Sequence, residues 1–150
     1  MNYKIFVPLF AFITLVIMGV YFLVNPSYEK SLEAKYYYET SNYRDAYALA
    51  KEAFGMNVYN RMAATVMAQS KTSLKYVDYV DMAQKYMKEI NSIVMKDEIS
   101  DSDKAKIKMM SHIMIDSYIK LAPSVITDKK LVEETAEYYH GFEKLLEKVN

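Results

Sequence analysis

Two histidines and a few acidic pairs are the side chains in this chain whose type could support a reacting centre. Histidine ligation of a metal needs a second donor at a helical or looped spacing, such as His-x-x-x-His or an acid–His–acid cluster. His112 and His140 fall in different helical segments, and neither has such a neighbour. The acid pairs are Asp101-Asp103 and Glu133-Glu134. Two carboxylates do acid–base work only across a shared cleft. Near the start of a helix they instead complement the positive end of its dipole. Cysteine is absent, which removes thiolate metal sites, thiol nucleophiles and disulfides. Three glycines cannot build a phosphate-cradling loop. The sequence therefore assigns no catalytic residue, no metal ligand and no cofactor, and the expected class is not an enzyme.

What stands out instead is fifteen Tyr and eleven Met. Methionine adapts to irregular surfaces, and tyrosine joins an apolar body to a polar tip, so both are common at interfaces. Met82, Met87, Met110 and Met114 fall on helical faces that need burying and read as core filler. Tyr36-Tyr37-Tyr38 is different. Three consecutive residues of a helix cannot all face one core, so at least one ring is expected to meet solvent or a partner.

The elements that would position these residues begin with an apolar run. Ile5 to Val24 is twenty residues without a charge, fourteen of them Leu, Ile, Phe or Val. At 1.5 Å per residue a helix of this length reaches about 30 Å, the thickness of a bilayer's hydrocarbon core. Pro8 lies near its start, where a missing N–H does least harm. Tyr3 and Tyr21 stand near its two ends, where amphipathic rings favour the interface. The competing reading is a cleaved signal peptide. The apolar core is too long for one, and no small-x-small cleavage site follows it. Lys4 precedes the run, and Asn25-Pro26-Ser27-Tyr28-Glu29-Lys30 after it is neutral. The positive-inside rule then leaves the N-terminus cytoplasmic and the rest exported, into the periplasm in a bacterium. The expected division is 1–26 as a short cytoplasmic end with a transmembrane anchor, and 27–150 as one helical interaction domain.

Beyond the run, acidic and basic residues nearly balance, with a net charge of about −1. That argues against a nucleic-acid binder, which needs a basic patch to meet phosphates. Patterning with a helical period predicts six helices and no sheet. They run near Tyr28–Thr40, from Tyr43 to Phe54-Gly55 with Gly55 as C-cap, over Val58–Ser70, and from Thr72-Ser73 to Val94. The fifth starts at Asp101-Ser102-Asp103 and breaks at Ala122-Pro123-Ser124. The sixth is capped by Thr127 or Asp128. The apolar faces are Val77, Val80, Ala83, Met87, Ile90 and Val94 in the fourth helix. In the fifth they are Ile107, Met110, Ile113, Met114, Tyr118 and Leu121, and in the sixth Leu131, Thr135, Tyr138, Phe142 and Leu145. Gly141 marks a weak point in the sixth.

The first helix pair carries Ala34, Tyr37, Tyr38, then Ser41-Asn42-Tyr43-Arg44-Asp45-Ala46, then Ala50, Ala53 and Phe54. This resembles a tetratricopeptide repeat (TPR), with Tyr43, Ala46 and Ala53 at the family's offsets. Lys30 and Glu33 depart from it where the family has large apolar residues, and the match covers roughly 30 residues. The resemblance implies an all-α fold: one N-terminal transmembrane helix, then about six helices in antiparallel pairs forming a TPR-like α-solenoid. It also implies a partner-binding groove lined by Tyr28, Ser31, Lys35, Tyr38 and Glu39. A solvated face, or one packed on the anchor, is the alternative for those five residues. The plan of one span and an exported repeat domain is similar to ancillary subunits of bacterial secretion, envelope-assembly and flagellar-motor machines. The expected function is a membrane-anchored protein–protein interaction scaffold, with other proteins of a membrane-associated complex as partners and self-association left open. The alternative is a tethered helical protein that handles a lipid or small ligand in a Met-lined pocket.

Overall fold

The structure, a computed structural model, describes residues 3–123 and 127–149, with the backbone alone at 3–5 and 23. The expectations placed on the side chains of Tyr3, Lys4 and Ile5, and on Ser124, lie outside what is described. Among the described residues there are six α-helices and no strand. They are α1 (Tyr3–Val24), α2 (Pro26–Glu39), α3 (Tyr43–Met56), α4 (Arg61–Val94), α5 (Asp101–Ile119) and α6 (Lys129–Val149). The chain divides into two compact units, Met1–Lys71 and Thr72–Asn150.

In the first unit a single residue separates α1 from α2. Asn25 caps α2 by accepting from the Ser27 N–H at 3.1 Å, and Pro26 follows at the first helical position. Proline suits that position because its φ is already helical and no N–H is needed there. Helices α2 and α3 are antiparallel: Ser27 Oγ, at the start of one, donates to the Ala53 carbonyl near the end of the other at 2.9 Å. Lys30 and Glu52 pair across them at 3.1 Å. Ala34, Ala46 and Ala50 are fully buried and pack with Val66 of α4, walled by Tyr37, Tyr38, Leu49 and Met62. Small residues at the crossing let the backbones approach closely while aromatic rings fill the flanks.

Helix α4 differs from expectation. The sequence placed a break at Thr72-Ser73, but one helix of 34 residues runs through it. Neither residue breaks a helix; Ser and Thr lower its stability by well under 1 kcal/mol each, far from the cost of Pro. Two further boundaries move. Gly55 does not cap α3, which ends at Met56 with Asn57 beyond it, and no glycine has positive φ. Gly141 sits inside α6 without interrupting it.

In the second unit the later part of α4 packs on α5 and α6 around Tyr79, Val80, Ala83, Ile90, Ile93, Ile107, Met110, Met114 and Phe142. Leu131, Tyr138 and Leu145 cover this cluster, as their spacing predicts. Ile113 and Val94 do not join it: they are exposed, and Ser111 and Ile93 take the inward positions. Met82 is also exposed. The turn into α5 is a capping box. Asp103 N donates to Ser100 Oγ at 3.1 Å, and Ser100 N donates back to the Asp103 carboxylate at 3.2 Å. Lys96 Nζ lies 2.7 Å from the same carboxylate. These hydrogen bonds, the Lys96 one foremost, hold the Asp103 carboxyl down at about 2. Asp128 caps α6 by accepting from Lys130 N at 2.9 Å.

Candidate functional site

The five residues of the expected groove do not form one surface. Ser31 is fully buried; its hydroxyl donates to the Tyr28 carbonyl and accepts from Asn60 Nδ2 at 3.2 Å. A serine on the α2 face that meets α3 and α4 cannot line a groove, and this corrects its placement. Tyr28 turns toward α1, its ring 4.7 Å from that of Phe22 and 6.3 Å from that of Tyr21. Tyr38 is half-buried beside the alanine cluster, edge-on to Tyr43 at 5.5 Å. Lys35 and Glu39 are exposed and pair with each other at 3.7 Å. One helical turn joins Leu32 and Tyr36, which are exposed on the same helix. Of the three consecutive tyrosines, Tyr36 meets solvent while Tyr37 and Tyr38 pack inward.

The titratable candidates are separated. Among the described residues no three His, Asp or Glu side chains gather closely enough to hold a metal ion. His112 is exposed on α5. His140 lies on α6, its Nδ1 3.0 Å from Glu143 Oε2. Tyr139 donates its hydroxyl to the other oxygen of Glu143 at 2.6 Å. Both contacts favour the charged carboxylate, the Tyr139 one more, and hold the Glu143 carboxyl below its ordinary range. The same bond, with some burial, pushes the Tyr139 phenol up.

The second unit has a cleft whose lining the sequence did not name. It holds about 310 Å³ and is lined by Tyr76, Tyr118, Leu121, Val132, Thr135 and Tyr139 among others. Tyr118 and Tyr139 stack with ring centres 4.3 Å apart and planes 21° from parallel. Tyr76 is almost wholly buried, and its hydroxyl has no hydrogen-bond partner among the described residues. The Tyr79 hydroxyl and Ser111 Oγ in the same unit share that condition. Burial pushes the Tyr76 and Tyr79 phenols up, so both stay protonated. Its wall carries tyrosines, whereas Met87 and Met95 line a separate cleft of the same unit. The available signal was Tyr76 and Tyr79, three residues apart on one face of α4.

Two further surfaces are apolar and bare. From Phe6 to Phe22 every position of α1 is exposed. The end of α3 and the loop after it expose Met56, Val58 and Tyr59, the last at 87%. Among the described residues no single helix is both long and apolar enough to cross a membrane. The run Phe6–Phe22 meets that test only together with Pro26–Glu39, and the pair is bent by 79° at the break. Compared with known proteins, the chain matches no family model, no curated protein and no solved structure.

Proposed function

We propose that this protein is a membrane-tethered helical interaction module, α1 being the tether and the remaining helices the part that meets other proteins. One observation carries the reading: α1 is apolar around its whole circumference and bare at every position from Phe6 to Phe22. A helix that is apolar on all sides needs an apolar surrounding, in a core or in a bilayer. No core covers this one, whereas every other helix contributes to a buried cluster. The backbone helix spans 22 residues, about 33 Å at the ordinary rise per residue, close to the bilayer's hydrocarbon thickness. Lys4 before it and the neutral stretch after it favour export of the rest, into the periplasm if the cell is bacterial.

The TPR-like reading is supported by the α2–α3 hairpin, whose Ala34, Ala46, Ala50 and Ala53 are fully buried at the helix crossing. Because α4 is continuous, the repeat does not extend to a second hairpin at the expected place. For the docking surface we substitute the exposed ridge of α2, Leu32 and Tyr36 flanked by Lys35 and Glu39. An aromatic–aliphatic pair edged by both charges suits a partner helix or peptide of an envelope assembly. In-cell photo-crosslinking from Tyr36 and Lys35, with Glu147 as control and membranes washed in carbonate, tests both halves. We expect the protein to stay in the washed membrane and to give a discrete protein adduct from α2 alone. Release by carbonate overturns the tether. Full retention with no adduct from α2 overturns the docking ridge.

A second reading, ligand handling, is favoured by the neutral tyrosine cleft of the second unit with its unpaired Tyr76 hydroxyl. A small neutral molecule retained in native mass spectrometry, and lost in Thr135→Phe, is its signature.

A further inference from the structure

The end of α3 and the loop into α4 expose three apolar side chains, Met56 at 50%, Val58 at 59% and Tyr59 at 87%. A loop held only by its ends would not keep such a cluster together. This one is fastened from below. Asn60 is fully buried, and its Nδ2 donates to the Ser27 carbonyl at 3.1 Å and to Ser27 Oγ at 2.9 Å. Its Oδ1 accepts from Ala63 N at 3.1 Å, which fixes the start of α4. Within the loop, Tyr59 N donates to Asn57 Oδ1 and Asn60 N to the Asn57 carbonyl, both at 3.0 Å. Buried amides satisfied on every side make a loop rigid.

The anchoring point matters. Ser27 follows the last residue of α1 by three positions, so the loop is fixed to the place where α1 gives way to α2. A shallow cleft there is lined by Asn25, Pro26 and Ser27 on one side and by Met56 and Asn57 on the other. A second, almost wholly apolar cleft is lined by Ile17, Val20, Tyr21, Val24, Asn25 and Pro26. The two share Asn25 and Pro26, so the apolar cleft at the end of α1 adjoins the one beside the loop. No charge interrupts the loop, and exposed Arg61 follows it directly.

We propose that this loop is a second membrane contact: Met56, Val58 and Tyr59 seat in the interfacial zone of the bilayer beside the exit of α1. The proposal rests on the reading of α1 as the membrane-embedded tether. The chemistry of the loop fits that zone. Tyrosine prefers the headgroup level, with its ring toward the chains and its hydroxyl toward water. Methionine and valine fill the acyl side, and the Arg61 guanidinium can reach lipid phosphate while its stem lies along apolar surface. The contact fixes how the first unit sits on the membrane, because a span with a rigid side contact can neither swivel nor lift freely.

The chain contains no Trp, so a single introduced one reports its own depth. The full-length Tyr59→Trp protein is reconstituted in phosphatidylcholine–phosphatidylglycerol vesicles whose acyl chains are brominated either near the headgroup or near the chain end. Val58→Trp duplicates the loop probe, Phe12→Trp reports on α1, and Met95→Trp reports on an exposed loop of the second unit. We expect blue-shifted emission and strong quenching by shallow bromines at Tyr59→Trp and Val58→Trp, quenching by deep bromines at Phe12→Trp, and none at Met95→Trp. Quenching at Phe12→Trp but at neither loop probe overturns the loop contact and leaves the tether standing. Quenching at Met95→Trp equal to that in the loop overturns the assignment to this loop. No quenching at Phe12→Trp overturns the tether and this proposal with it.

Discussion

Ser41 is the one non-glycine residue with positive φ among those described, at 63°. It holds the α2–α3 turn in a Schellman arrangement. Asn42 N donates to the Tyr37 carbonyl at 2.8 Å and Ser41 N to the Tyr38 carbonyl at 3.1 Å. A left-handed backbone costs an L-residue roughly 1–2 kcal/mol, a cost that glycine does not carry. Ser41→Gly is therefore expected to raise unfolding free energy by about 1 kcal/mol, less the lower entropy of the unfolded serine chain. A urea midpoint that rises with unchanged slope checks it, and a fall would show that the weak Ser41–Tyr43 hydroxyl contact matters more. Ser41-Asn42 was legible as a turn because both residues favour local backbone hydrogen bonds. Asn60 was not legible, since a polar loop residue looks the same whether it faces water or clamps Ser27. The tyrosines misled in the opposite direction. Tyr76 and Tyr79 pack inward beside Val80, which keeps its expected place in the core, although the stripe drawn through Val77 and Val80 named neither tyrosine.

At the scale of elements, periodicity located the helical stretches but divided α4 in two, so five helices follow α1 where six were expected. The faces of α6 and the start of α5 follow from spacing and from the Ser100–Asp103 box. The break at Thr72-Ser73 did not follow, because weak helix formers inside a packed helix are overridden by burial on both sides. Ser70 and Ser73 are both fully buried there. Continuity of α4 has a direct test in Lys71→Pro, at an exposed position. Inside a helix, proline removes one backbone bond and clashes with the preceding turn, at about 3 kcal/mol or more. The substitution should lower the chemical-denaturation midpoint accordingly. In a turn it would be close to neutral, so a neutral result would restore the two shorter helices.

For the molecule as a whole, each unit has its own buried cluster, and among the described residues α1, though part of the first unit, contributes to neither cluster. A chain of residues 25–150 is therefore expected to keep its helical circular dichroism and cooperative unfolding, and to leave the carbonate-washed membrane. Aggregation or loss of helicity on removing α1 would show that the Phe22–Tyr28 contact holds the first unit together. The apolar character of α1 was legible from twenty uncharged residues. The proposed docking ridge was not, because the groove assignment came from a resemblance to a repeat, and α4 is continuous where a second hairpin was expected. The junction between α1 and α2 is a single residue, Asn25. With α1 embedded, a joint that short has no slack. The first unit cannot reach out into the surrounding solution as it could on a flexible arm. On the proposed reading, partners would come to the bilayer surface or live in it, and their meeting would become a search over a plane, with the high local concentration that such confinement brings.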